Sequence, residues 1–187
     1  MTIRDWKEAS SEAKMAVVEG NRDTAPLTPH RLVELYADDV WRYASSKLRR
    51  REDAEDAAME TFAAAMRDFA RLNRAESPRL WLLAIARNKV HDAMRRTYRR
   101  AETALEESVP ARTEPEIHRE SLREAMAHLP ELHREILVLK YVNQLSTEEV
   151  AKVIRKSAAA TNSLLQRARQ SLREHAQPLL DAQGDRP

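Results

Sequence analysis

Residues 145–173 read LSTEEVAKVIRKSAAATNSLLQRARQSLR, and they decide the fold. Ser146 with Glu149 spells a capping box, in which each side chain satisfies the other residue's backbone N–H. Leu145 and Val150 supply the matching hydrophobic staple. Only about eight helical residues follow before Ser157, a second capping residue, opens a longer basic helix running towards Gln177. Two helices joined by a tight turn, the second longer and basic, predict a helix-turn-helix. In that second helix Thr161, Leu165, Ala168 and Leu172 recur at helical spacing as the buried stripe. Asn162, Ser163, Gln166, Arg169, Gln170 and Arg173 point outward. Asn and Gln can pair bidentately with adenine in the major groove, while arginines take guanine or phosphate. Ala159, Asn162, Ser163 and Gln166 lie in the first turns, where base-reading residues normally sit.

Working outward, the rest of the chain carries helical signals of the same kind. Its 187 residues include 2 glycines, Gly20 and Gly184; average usage would give about 13. Every turn between them is made without glycine, which nearly excludes hairpins and a β-rich architecture. Thr28-Pro29 and Ser77-Pro78 each place a capping residue before a proline at the first helical position. Behind Thr28, Leu32, Leu35, Tyr36, Val40, Tyr43 and Ala44 recur at helical spacing. Asp53 reads as the cap of a second helix carrying Ala58, Phe62, Ala65, Met66 and Phe69. Ser77 opens a third that runs to about Arg100. Ile3, Trp6, Ser10, Ala13 and Val17 predict an amphipathic helix within the first 27 residues. Residues 101–115, AETALEESVPARTEP, read as a flexible acidic linker. Helical spacing resumes with Ile117, Leu122, Ala125, Met126 and Leu129, and Leu129-Pro130 breaks it. Leu132, Ile136, Leu137, Leu139, Lys140 and Tyr141 form a short helix before the helix-turn-helix. The expected fold is all-α, with two small helical domains joined by a flexible linker.

Composition removes several functions. With 0 cysteines there are no disulfides, thiolate metal sites or cysteine nucleophiles. The 6 histidines are scattered, and no Glu has a His three residues later, so no metal spacing is present. No nucleophile elbow or P-loop is possible without glycine. The reading therefore contains no catalytic residue, cofactor, metal or small-molecule substrate. No apolar run approaches the ~20 residues that cross a bilayer. The opening MTIRDWKEAS lacks the apolar stretch of a signal peptide. A cytoplasmic protein without membrane insertion is expected.

The net charge of +2 conceals segregation. Residues 77–100 hold seven basic side chains against Asp92 alone, and residues 155–173 hold five against no acid. The second helix begins with Asp53, Glu55, Asp56 and Glu60 and no base. At 100° per residue, Asp53, Asp56 and Glu60 share one narrow arc opposite Phe62, Ala65 and Phe69, which predicts a solvent-facing carboxylate stripe open to a basic partner. Favourable placement near the helix N-terminus would by itself account for Asp53 and Asp56. On the third helix Leu82, Leu83, Ala86, Val90, Ala93 and Met94 share one half. Trp81, Arg87, Asn88, His91, Asp92, Arg95 and Arg99 share the other. An aromatic beside amides and arginines suits stacking on unpaired bases, although Trp81 alone is slightly better explained by folding over the core edge. Two basic helices and one acidic face suggest two nucleic-acid contacts and one protein contact.

These segments resemble the extracytoplasmic-function class, group 4, of the sigma-70 family of RNA polymerase sigma factors. Asp53-Ala54-Glu55-Asp56 leading to Glu60-Thr61-Phe62 is similar to the family's region 2.2 motif, DAED followed by ETF. Arg79-Leu80-Trp81-Leu82-Leu83-Ala84-Ile85-Ala86-Arg87-Asn88 is similar to the RAWLxxIARN of regions 2.3 and 2.4. Leu129-Pro130-Glu131-Leu132-His133-Arg134-Glu135-Ile136-Leu137, then Leu145-Ser146-x-Glu148-Glu149-Val150-Ala151, is similar to the LPExxREVLxLxxxxGLSxEEIA of region 4. Three motifs in order over about residues 30–175 make the resemblance specific.

The resemblance implies a protein that binds core RNA polymerase, at its β′ clamp and β flap, and directs it to promoter DNA. It implies region 2 over 28–100 and region 4 over 116–178, flanked by an extension at 1–27, the linker at 101–115 and a tail at 179–187. Asp53, Asp56 and Glu60 would contact the β′ clamp. Trp81, Arg87, Asn88, Asp92, Arg95, Arg96 and Arg99 would hold the melted −10 element, and the loop Ala70–Glu76 would take a flipped-out base. Ala159, Asn162, Ser163, Gln166, Arg167, Arg169 and Arg173 would meet the −35 element. The linker would thread towards the RNA exit path. An anti-sigma factor is a further partner that the resemblance leaves open.

The chain also departs from the family pattern. Arg155 replaces the usual turn glycine, so a different turn geometry is expected there. Lys156 replaces an apolar staple residue and Thr161 faces it, which predicts a looser start to the last helix. Asn162 and Leu164 stand where the family's TVKSRL stretch carries cations, and Leu164 could touch a thymine methyl. Ala57 and Ala58 replace bulkier residues. The competing reading is a stand-alone helix-turn-helix regulator built on 116–178, which would leave the motifs at Asp53–Phe69 and Trp81–Arg96 without a role.

Overall fold

The computed structural model describes residues 27–101 and 122–184. The expectations for residues 1–26, for the linker beyond Ala101 and for Ile117 lie outside these. Every regular element among the described residues is helical. The chain divides into two units, Met1–Glu102 and Thr103–Pro187.

In the first unit α1 (Pro29–Lys47), α2 (Arg51–Arg67) and α4 (Pro78–Ala101) pack against one another, with the single turn α3 (Phe69–Leu72) between the last two. Thr28 and Ser77 act as the sequence suggests. The Arg31 N–H donates to Thr28 Oγ1 at 3.2 Å, and the Leu80 N–H donates to Ser77 Oγ at 3.3 Å. Leu32, Val40 and Tyr43 of α1, Phe62 of α2, and Leu82, Leu83 and Val90 of α4 are buried together. Ala54, Ala57, Ala58 and Ala65 are also buried, so α2 meets its neighbours through small side chains. Asp39 of α1 accepts a bidentate pair from Arg79 at the start of α4, at 2.8 and 2.9 Å.

Two expectations for α2 are corrected. Its cap position is Arg50, without a side-chain cap bond, so Asp53 sits in the first turn. A carboxylate there still meets the positive end of the helix dipole. The helix ends at Arg67, because Asp68 leaves helical geometry at φ −120° and ψ 29°. Phe69 therefore belongs to α3, whose Leu72 is fully buried. The expected loop at Ala70–Glu76 begins as this helical turn.

The second unit contains helical residues 122–127 (α5), α6 (Glu131–Leu137), α7 (Thr147–Ile154) and α8 (Ala158–Gly184). The capping box closes in both directions. The Glu149 N–H donates to Ser146 Oγ at 3.1 Å, and the Ser146 N–H donates to Glu149 Oε2 at 2.8 Å. Leu145 and Val150, the staple, are buried. Beyond α6 the chain widens into a π-helical turn, Val138–Val142, and the Asn143 N–H reaches the Val138 carbonyl at 3.0 Å. The plain α-helix expected there is corrected. The wider turn buries Asn143 and delivers Gln144 in the left-handed region at φ 56°.

Arg155 also adopts the left-handed conformation, at φ 57° and ψ 50°. The turn thus keeps the geometry that glycine would give, contrary to the expectation of a different one. The Lys156 N–H closes it on the Ala151 carbonyl at 3.0 Å, the bond of a Schellman motif. Nor is the start of α8 loose. The Ala160 N–H donates to Ser157 Oγ at 3.2 Å, and Thr161 is fully buried with its hydroxyl donating to the Ser157 carbonyl at 2.9 Å. Past Gln177, the helix continues to Gly184 with Pro178 inside it. The stacked rings of His128 and His175, 5.5 Å between centroids, tie the turn after α5 to α8.

Candidate functional site

On α8 the predicted division of faces is present. Thr161, Leu165 and Ala168 are buried and Leu172 is half-buried. Ala159, Asn162, Ser163, Gln166, Arg167, Arg169, Gln170 and Arg173 are all exposed. The Ser163 hydroxyl donates to the Ala159 carbonyl at 3.1 Å, and Arg167 Nε donates to the Ser163 carbonyl at 3.4 Å. Leu164 is half-buried. The result is an amide- and guanidinium-bearing helix face, held rigid by the capping box, the Arg155 turn and the Ser157 cap. Its width and chemistry fit a major groove.

On α4, Trp81 is half-buried and Asn88 exposed, one above the other two turns apart. Arg87, His91 and Asp92 are half-buried, and Arg95 and Arg96 exposed. The side chain of Arg99 lies outside the described residues. The Arg95 guanidinium bonds the Asp92 carboxylate and holds its carboxyl below the ordinary range, with Lys89 and Arg96 adding to the effect. Asp92 thus keeps a negative charge within a basic face.

The basic character of α4 is largely matched inside the first unit, which charge counting along the sequence missed. Arg79 is held by Asp39 on α1. Lys89 Nζ lies 3.2 Å from Glu60 Oε2, and Arg96 lies 3.3 Å from Glu60 Oε1. The Thr97 hydroxyl approaches Asp53 Oδ2 at 3.5 Å. The carboxylate stripe of α2 is therefore corrected from a solvent-facing row to a mixed one. Asp56 is exposed, Asp53 is half-buried, and Glu60 is bound by two cations of α4. The sequence separation of these partners, 36 residues for Glu60 and Arg96, hid the pairing from local reading. Also missed was Met59, which is 63% exposed beside Asp56. An exposed thioether next to carboxylates suits a protein partner; the only sequence signal was a long apolar side chain at the edge of the carboxylate arc. Tyr141 on the π turn is similarly exposed.

Among the described residues no group of three or more His, Cys, Asp or Glu could hold a metal ion, and no helix is long and apolar enough to cross a membrane.

Comparison with known proteins extends these observations. Residues 32–100 match the family model for sigma-70 region 2, and residues 119–172 match that for sigma-70 region 4. The chain is 32% identical over 186 residues to the ECF RNA polymerase sigma factor SigE of Mycolicibacterium smegmatis, covering 93% of this chain and 72% of that one. It is 29% identical over 154 residues to the RNA polymerase sigma factor YlaC of Bacillus subtilis, covering 77% and 89%. The solved structure of the sigma factor RpoE with the anti-sigma factor NepR, from Bartonella quintana, shares the fold. Its TM-score is 0.60 at 23% identity, over 79% of this chain and 92% of that one.

Proposed function

Since this chain belongs to the sigma-70 family of RNA polymerase sigma factors, in its extracytoplasmic-function class, we propose that it binds core RNA polymerase and carries it to promoters whose −10 and −35 elements its two units engage. The observation that carries this reading is the presence of both matched regions, in order, on one chain. Each regional match falls on its own helical unit. A stand-alone helix-turn-helix regulator needs only the second.

Residue roles follow from exposure and chemistry. Asp53, Asp56 and Met59 on α2 offer the β′ clamp a carboxylate face with an apolar anchor, and Glu60 extends it where its cations let it. Trp81 and Asn88 stack on and hydrogen-bond unpaired bases of the −10 element. Arg87, Arg95, Arg96 and Arg99 take its phosphates, and the α3 turn with the bend after it receives a flipped-out base. Asn162, Ser163 and Gln166, with Ala159, read the −35 element, and Arg167, Arg169 and Arg173 anchor its backbone. Region 4 meets the β flap, and an anti-sigma factor is a further partner. The domain limits read from the sequence apply, with the linker of 101–115 between regions and action in the cytoplasm. The protein's part is binding and strand capture, and the polymerase performs the chemistry.

Run-off transcription with bacterial core polymerase and a broad promoter pool tests the reading. Specific starts that depend on this protein are expected. If no template yields one and the protein fails to co-purify with core enzyme, the reading fails. Charge reversal at Asp53 and Asp56 should weaken core binding roughly tenfold with helicity intact; unchanged affinity would assign these carboxylates to helix stabilisation alone.

A further inference from the structure

Residues 157–166, SAAATNSLLQ, carry no charge. They open α8 and hold the residues assigned above to base reading. Cations stand on either side of them: Arg155 and Lys156 before, Arg167, Arg169 and Arg173 after. The uncharged stretch is about 15 Å long at helical rise. The major groove is about 12 Å wide and walled by phosphates. A helix seated there can reach phosphate from both ends while its uncharged part meets the base edges.

The two leading cations stand where folding alone favours other residues. Arg155 is left-handed at φ 57° and ψ 50°, where a Cβ costs free energy that glycine avoids. The Lys156 N–H closes the turn on the Ala151 carbonyl at 3.0 Å, and an apolar side chain at that position would pack back on the helix end. Both side chains are exposed instead. Among the described residues neither takes part in an ion pair or a side-chain hydrogen bond. No polar contact of the folded unit therefore offsets either choice, and strain of this kind persists where a binding surface uses it.

We propose that Arg155 and Lys156 grip the DNA phosphate backbone at the edge of the −35 element, at the opposite end of the reading stretch from Arg167, Arg169 and Arg173. This rests on the reading of α8 as the −35 reader. The contact adds affinity and fixes register without adding sequence preference, because phosphate carries none.

The test uses holoenzyme assembled from the full chain and bacterial core polymerase, on a promoter found in the run-off pool. Promoter binding is followed by anisotropy over a series of salt concentrations. Arg155→Gln and Lys156→Gln should each weaken it roughly three- to tenfold and lower the salt slope by about 0.9, and the double variant should lower the slope by about 1.8. Arg155→Lys should keep the wild-type slope. The ratio of affinities for intact and scrambled −35 duplexes should not change. Replacing one phosphate at the edge of the −35 element by an uncharged methylphosphonate should remove the cost of Arg155→Gln. Arg155→Gly should weaken binding as much as Arg155→Gln although it relieves the turn, so the loss cannot come from a damaged fold. Unchanged affinity and slope overturn the proposal, as does a loss that no neutralised phosphate removes. A loss already present in binding to core polymerase without DNA overturns it too, because the pair would then face protein. The failure of the underlying reading looks different: the wild-type chain would yield no specific start on any template.

Discussion

Arg155 and Gln144 bracket α7, and both occupy the left-handed region, at φ 57° and 56°. For an L-residue with a Cβ that conformation costs about 1–2 kcal/mol. Glycine removes the clash but adds backbone entropy to the unfolded chain, an opposing effect of about 0.4–1 kcal/mol. Arg155→Gly should therefore stabilise the second unit by about 0.5–1 kcal/mol, measured as a higher urea midpoint at constant slope. A lower midpoint would show that the Arg155 side chain holds something that offsets its backbone strain. The substitution was visible in the sequence as a missing turn glycine; the conformation was not, because a Schellman bond from Lys156 and a fixed Ser157 cap decide it. Gln144 went unread for the same reason: its turn is created by the π segment before it. In the first unit, burial pushes the Tyr36 hydroxyl above its ordinary value of 10.0, and Asp39 adds to this while Arg79 opposes it. A group raised on folding contributes stability that is complete below its unfolded value and is lost as pH rises through the folded one. First-unit stability should therefore fall as pH climbs above about 10, and Tyr36→Phe should flatten that part of the profile, read from urea midpoints across the alkaline range. A profile identical to wild type would assign the alkaline loss to another group.

At the scale of elements, what was legible was local. Thr28, Ser77, Ser146 and Ser157 announce helix starts because a cap acts within four residues, and all four side chains accept the expected backbone N–H. Ser146→Ala should accordingly cost the second unit about 1 kcal/mol, and Ser146→Gly only a few tenths; equal losses from both would mean the box contributes through the Glu149 side chain instead. The faces of α8 were legible too, since helical periodicity fixes them once one stripe is buried. What failed was any statement about which charges of α4 face solvent. Asp39 with Arg79, and Glu60 with Lys89 and Arg96, are brought together only by the packing of α1, α2 and α4, across separations of 40 and 36 residues for the two arginine pairs. A run of seven bases therefore read as one basic surface, although its members divide between internal struts and outward contacts. The break at Asp68 and the burial of Leu72 were hidden likewise, because α3 is too short to carry a period.

At the scale of the whole molecule, each unit closes its own core. Leu32, Tyr43, Phe62, Leu82 and Val90 fill one, and Ile136, Leu139, Val150, Ile154 and Leu165 belong to the other. Such an arrangement suits a protein that must place two DNA contacts on elements a promoter holds apart, because linking two weak contacts raises affinity without requiring either to be strong. It also predicts the form of unfolding. Asp39→Asn breaks a partly buried bidentate pair in the first unit and should cost about 2–3 kcal/mol, whereas Arg155→Gly acts on the second. Calorimetry of the full chain should show two transitions: Asp39→Asn should lower one and leave the other in place, and Arg155→Gly should raise only the other. In the double variant both shifts should appear with their single-variant sizes, to within about 0.5 kcal/mol, because each site belongs to its own unit. If each substitution instead moved both transitions together, the two cores would unfold as one cooperative unit.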